Sequence, residues 1–186
     1  MDKDSKKRVF RKIVLSKLKK KKVNNYKIDK VLINEIYIFI KKRKIKNIMI
    51  FIPLKSEPNI APLIKLLRES GYNLYVPFIQ EESFKLVKYR LPLIKKKFGI
   101  KEPKNSNLNI KNIDLAIVPF LGIDNSCRRV GFGKGMYDRF YSKNSRFIKD
   151  TLFLQREIFI SKDIITNHYD ISANYLIANS INYIDY

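Results

Sequence analysis

Cysteine and histidine occur once each in the 186 residues, as Cys127 and His168. A single thiol excludes an intramolecular disulfide and a thiolate zinc cluster. What remains is a free thiol, or a Cys127–His168 dyad with the thiol activated by Arg128 and Arg129. Carboxylates are scarce: 17 Asp and Glu stand against 39 Lys and Arg, a formal net charge of +22. No apolar run approaches the ~20 residues of a membrane-spanning helix. The basic N-terminal stretch is not followed by an uninterrupted apolar one, which argues against a signal peptide. A soluble, cytoplasmic protein with no membrane partner is expected. Its six glycines and seven prolines are spread without a low-complexity linker or internal repeat, so 1–186 reads as one domain.

Hydrophobic content of 45% and 12% aromatic residues supply a globular core. The charge admits two readings. It fits a surface that attracts nucleic acid or polyanionic small molecules. It also fits a composition rich in Lys, Ile and Asn, with lysines scattered as well as clustered at 19–22, 41–44 and 95–97. A solvated surface accounts for most of it, and nucleic acid is not the expected partner.

Helical spacing of Val9, Phe10, Ile13, Val14 and Leu18 predicts a helix over 5–22, capped by Asp4 or Ser5. A second helix is predicted from Asp29, through Leu32, Ile36 and Ile40. The apolar run 47–52, ending at Pro53, reads as a buried strand. Pro62 opens a third helix that stops at Gly71, a C′ residue. Strands follow at 74–76, closed by Pro77, and at 84–88. Residues 91–98 read as a short helix and 99–109 as a polar loop. The strongest buried strand is 114–119, with later strands at 152–154 and 175–178 and a helix starting at Tyr137. The alternation implies an α/β fold: a three-layer α/β/α sandwich with a mostly parallel, Rossmann-like central sheet. Ligands in such folds bind beyond the carboxyl ends of strands.

The segment 129–139, Arg-Val-Gly-Phe-Gly-Lys-Gly-Met-Tyr-Asp-Arg, carries the most chemistry. Gly131, Gly133 and Gly135 let the main chain bend and bring N–H groups against an anion. Arg129 and Lys134 add charge, and Asp138 offers an oxygen to Mg²⁺. That combination suits a nucleoside triphosphate. It is not a Walker A loop, because Lys134 precedes Gly135 and Met136 rather than a hydroxyl residue. It is not the dinucleotide fingerprint either, because Met136 stands where that pattern needs glycine. The bland alternative is a turn joining a strand to a helix.

Together, the strand 114–119 ending in Pro119, Asp124, and Arg129-x-Gly-x-Gly-Lys-Gly-x-Tyr-Asp resemble the 5-formyltetrahydrofolate cyclo-ligase family. Further likeness lies in Lys7-Arg8-Val9-Phe10-Arg11, in strand 48–52 followed by Glu57, in 98–103 (Phe-Gly-Ile-Lys-Glu-Pro), and in Asp170. It runs along essentially the whole chain.

The resemblance implies conversion of 5-formyltetrahydrofolate, as its mono- or polyglutamate, to 5,10-methenyltetrahydrofolate by a monomer, with ATP as co-substrate and Mg²⁺. It implies ATP contacts from Lys7, Arg11, Arg129, Gly131, Gly133, Lys134, Gly135, Met136 and Tyr137. Substrate contacts would come from Ile52, Glu57, Phe132 and Met136. Lys134 and Glu57 would be catalytic, and Asp138 and Asp170 would hold the metal. By residue type alone, Lys7 and Arg11 equally suit a solvated helix face, and each Asp a cap or surface ion pair.

Three departures from the family pattern are visible. Phe120 and Met136 replace a Gly and a Tyr, and near the C-terminus Asn167-His168-Tyr169-Asp170 and Asn174 stand where Glu-x-His-Asp and a further Asp are usual, which leaves roles for Asn167, His168 and Asn174 open. A non-catalytic RNA- or nucleotide-binding protein, using Tyr and Phe as stacking platforms, is the alternative.

Overall fold

The computed structural model describes residues 1–20, 25–96, 101–105 and 112–184. The first half contains α1 (Lys3–Lys20), α2 (Asn25–Lys42), β1 (Asn47–Met49), α3 (Ala61–Glu69), β2 (Asn73–Gln80), β3 (Ser83–Lys88), β4 (Ile94–Lys95) and β5 (Lys101–Glu102). The second half contains β6 (Ile113–Pro119), β7 (Gly122–Asp124), β8 (Arg129–Val130), α4 (Met136–Asn144), β9 (Ile148–Leu154), β10 (Glu157–Ser161), β11 (Tyr175–Ile177) and β12 (Ser180–Ile184).

The central sheet has the order β11-β9-β6-β1-β2-β3 and is parallel except for β3. Side chains alternate across it. On β6, Leu115 and Ile117 pack under α2 and α3, against Leu32, Ile36, Ile40, Leu63, Ile64 and Leu67. Ala116 and Val118 face the other way, toward Phe140 and Tyr141 of α4. The mostly parallel α/β fold read from the sequence is therefore present.

A second sheet, β12-β10-β7-β8, extends it and has no counterpart among the predicted strands. Ile123 and Ile158 join the core beneath α4, while Phe159, Val130 and Ile184 meet Phe10 and Val14 of α1. At Gly122 a Cβ would run into the Phe159 carbonyl and lie 2.5 Å from the Phe10 ring, so α1 seats directly on β7.

Several predicted boundaries shift. The first helix begins earlier and takes its cap from Asp2, which accepts a hydrogen bond from Ser5 N at 2.7 Å; predicted positions 21 and 22 lie outside the described residues. The second helix starts at Asn25, because Asp29 is no cap: it is buried and ion-paired with Arg156 at 2.7 Å. β1 stops at Met49, short of the predicted Ile52. β2 runs through Pro77 instead of ending there. Its pairing with β1 ends at Tyr75, so the proline nitrogen faces an edge with no ladder partner to lose.

Residues 94 and 95 are extended rather than helical, since they pair with β5; predicted helix positions 97 and 98 lie outside the described residues. Part of the predicted loop, 101 and 102, forms β5; positions 99, 100 and 106–109 lie outside them. Gly71 does close α3, at φ 80°.

Candidate functional site

Two cavities flank the first turn of α4, one of them beyond the carboxyl end of β1. The first, about 350 Å³, is lined by Asp4, Lys7, Arg11, Gly131, Gly133, Gly135, Asp138, Arg139, Ser142, Tyr169 and Asp170. It thus gathers seven of the residues singled out in the sequence. The Gly loop forms one wall, with Gly133 and Gly135 at positive φ (102° and 63°). Helix α1 forms the opposite wall, because Lys7 and Arg11 are four apart and share a face.

Lys7 Nζ donates to both Asp170 oxygens at 2.6 and 2.5 Å, and both side chains are buried. Asn167 N also donates to Asp170, at 2.8 Å. Arg11 Nε donates to the Gly131 carbonyl at 2.9 Å, which ties α1 to the loop. Half-burial draws the Arg11 pKa below its ordinary value, and neighbouring Arg129 adds to that effect.

Arg129 lies behind this wall rather than on it. Its Nε donates to the Pro119 carbonyl at 3.0 Å, one terminal nitrogen is 3.6 Å from Asp138, and its guanidinium covers the Tyr137 ring at 5.1 Å. A Cβ on Gly131 would lie 2.6 Å from the guanidinium carbon. The first glycine therefore makes room for this arginine, a constraint that spacing alone does not reveal.

Asp138 and Asp170 line the cavity, and no cluster of three or more metal-ligating side chains occurs among the described residues. Mg²⁺ fits such a site, since it commonly takes one or two carboxylates and completes its shell with water and phosphate oxygens.

The second cavity, about 130 Å³, is lined by Phe51, Ile52, Leu54, Glu57, Pro77, Ile79, Phe84, Lys101, Met136 and Tyr137. It is mostly apolar, with one carboxyl and one ammonium group. Glu57 is 6% exposed and accepts a hydrogen bond from Leu54 N at 2.8 Å. Burial pushes its pKa from 4.5 to about 7, outweighing that hydrogen bond and the pull of Arg129. Burial likewise raises the Tyr137 phenol pKa, helped by nearby Glu57.

Tyr137, expected at the nucleotide, and Met136, expected at both nucleotide and substrate, line this second cavity together with Ile52 and Glu57. Phe132, expected at the substrate, packs instead against the core shared by α1 and the second sheet. The Lys134 side chain is exposed and lines neither cavity, while its carbonyl accepts from Arg139 at 2.6 Å.

Asp124 is a brace: it is buried and accepts from Ser126, Ile165 and Thr166 at 2.6–3.0 Å. Burial alone would raise its pKa; the hydrogen bonds from Ser126 and Thr166 bring it below the ordinary value. Asn174 accepts from Thr151 N at the sheet edge. Cys127 is exposed in the β7–β8 turn, and no hydrogen bond joins it to His168 among the described residues, so the dyad is not formed. Asp4, Arg139, Ser142 and Tyr169 were missed. Arg139 alone had a signal, as the residue that completes the glycine segment.

Fold and site define an α/β protein with two adjoining cavities, one charged and glycine-walled, the other apolar with a buried carboxyl. The chain belongs to the 5-formyltetrahydrofolate cyclo-ligase family, whose model matches residues 3–166. It is 28% identical over 145 residues to the 5-formyltetrahydrofolate cyclo-ligase of Haemophilus influenzae, covering 71% of this chain and 75% of the relative. A Mycoplasma genitalium protein of the same name is 34% identical over 85 residues, covering 39% of this chain and 52% of that one.

Among solved structures, Aquifex aeolicus 5,10-methenyltetrahydrofolate synthetase superposes with a TM-score of 0.75 at 23% identity, over 92% of this chain and 89% of that one. The Mycoplasma pneumoniae 5,10-methenyltetrahydrofolate synthetase gives 0.70 at 19%, over 95% and 98%. At such identities the superpositions speak for the fold alone. No helix among the described residues is long and apolar enough to cross a membrane.

Proposed function

We propose that this chain catalyses the ATP- and Mg²⁺-dependent conversion of 5-formyltetrahydrofolate to 5,10-methenyltetrahydrofolate, releasing ADP and phosphate, as a cytoplasmic monomer. One observation carries the reading beyond family membership. The first turn of α4 stands between the two cavities, giving Gly135 and Asp138 to one and Met136 and Tyr137 to the other. Phosphoryl transfer between two bound molecules needs such adjacency, since positioning and charge neutralisation do most of the work.

In this reading the charged cavity takes the triphosphate. Lys7, Arg11 and Arg139 supply cations, and N–H groups of the glycine segment face phosphate oxygens. Arg129 supports the wall from behind. Asp138 would hold Mg²⁺, joined by Asp170 where Lys7 turns from it to the phosphates, and the ion would supply neutralisation of phosphate charge. The apolar cavity takes the pterin against Ile52 and Met136, with ring N–H groups donating to Glu57. The formyl oxygen attacks the γ-phosphorus, its new O–P bond replacing the bond to ADP. N10 then attacks the formyl carbon and loses its proton, and the carbon–oxygen bond breaks as phosphate leaves. Lys134, exposed and without a side-chain partner among the described residues, can turn onto the transferring group.

The test is incubation with 5-formyltetrahydrofolate, ATP and Mg²⁺, following the near-ultraviolet absorbance of the methenyl product together with ADP release. Equal amounts of both are expected. No product at high enzyme concentration would remove this reading.

A further inference from the structure

A ribbon of two short strands stands at the mouth of the apolar cavity. Glu102 anchors it: this side chain is 3% exposed and accepts a hydrogen bond from Ile79 N at 2.9 Å, near the end of β2. Its neighbour Lys101 is the one cation among the residues lining that cavity. In the ribbon Ile94 stands opposite Glu102, and Lys95 stands opposite Lys101. Directly opposed residues of an antiparallel pair project to the same side, so two ammonium groups share one face at the rim.

Both lysines are exposed, and no carboxylate partners either one among the described residues. Like charges set directly opposite each other destabilise a strand pair. An anion placed between them would remove that cost.

The cavity offers a buried carboxyl at Glu57, an apolar stretch of Phe51, Pro77, Ile79 and Phe84, and then Lys101. A folate has the same order of chemistry: a hydrogen-bonding pterin, a flat aryl middle and a glutamyl end bearing carboxylates. We propose that Lys95 and Lys101 form a clamp for the glutamyl carboxylates of the substrate. The clamp rests on the functional reading above and adds to it the residues that recognise the anionic end.

The test compares the wild type with the double variant Lys95→Gln/Lys101→Gln on two substrates: 5-formyltetrahydrofolate, and the carboxamide of 5-formyltetrahydropteroate, which lacks the glutamate and carries no carboxylate. With the full substrate the variant should show KM raised about tenfold, as expected for two partly exposed charge pairs, with kcat unchanged. Its KM should also depend less on salt. With the carboxamide, wild type and variant should share one KM. The melting temperature should stay level or rise, since a repulsion is lost. An unchanged KM for the full substrate, or an equal rise with both substrates, overturns the clamp alone. A wild type that turns over neither substrate overturns the functional reading and the clamp together.

Discussion

Glu57 is a carboxylic acid set in an apolar wall, and its protonation belongs to both folding and binding. The folded protein holds this proton up to about pH 7, whereas the unfolded chain releases it near 4.5. The associated stability is therefore full below pH 4.5 and lost as pH rises to about 7, by about 3 kcal/mol. Glu57→Gln should flatten that slope in urea unfolding across the window. The same variant should abolish a rise in kcat/KM through pH 7, because the ionised carboxylate would accept from the proposed pterin's N–H groups more strongly than the neutral acid.

Lys7 and Lys134 separate burial from exposure. Lys7→Met strands the buried Asp170 charge and should cost about 3–5 kcal/mol in denaturant unfolding. Lys134→Ala should stay within about 0.5 kcal/mol of the wild type yet lower kcat about a hundredfold, if its charge meets the transferring phosphoryl group. Residue types at the glycine segment were legible because few chemistries want glycine, cation and carboxylate so close together. That Lys7 and Asp170 pair, 163 positions apart, was not, because pairing across such distance is decided by tertiary packing.

Helix α1 delivers Lys7 and Arg11 only because Phe10 and Val14, on its buried side, seat it on the second sheet. Gly122→Ala should unseat it, since the added methyl meets a backbone carbonyl that cannot move aside. A loss of about 1–3 kcal/mol is expected from thermal unfolding, with weaker ATP binding in calorimetry. Unaltered ATP affinity in a destabilised variant would mean that α1 is not part of the nucleotide wall. Long elements such as α2, α3 and β6 were legible from periodicity and run length. The second sheet was not, because β7 and β8 have three and two residues, too few to show a period. β10 is buried at four of five positions and shows no alternation. β4 and β5 exist through their mutual pairing, which a local pattern of Leu and Ile cannot report.

At the scale of the whole molecule, a net charge of +22 surrounds cavities proposed for two anionic substrates. Such a field raises local anion concentration and encounter rates, and salt screens it. The value of kcat/KM should fall as ionic strength rises from about 0.01 to 0.15 M, where the screening length shrinks from about 30 to 8 Å. Initial rates at several concentrations of an inert salt would measure it; a flat profile would make the excess lysine compositional rather than functional.

The opening turn of α4 touches both chambers, which makes their occupants thermodynamic neighbours. Whatever tightening the nucleotide brings to the folate, the folate must bring to the nucleotide by the same factor. A bulky residue in place of Met136 should accordingly reduce the tightening of ATP that saturating folate brings, while ATP binding without folate stays unchanged.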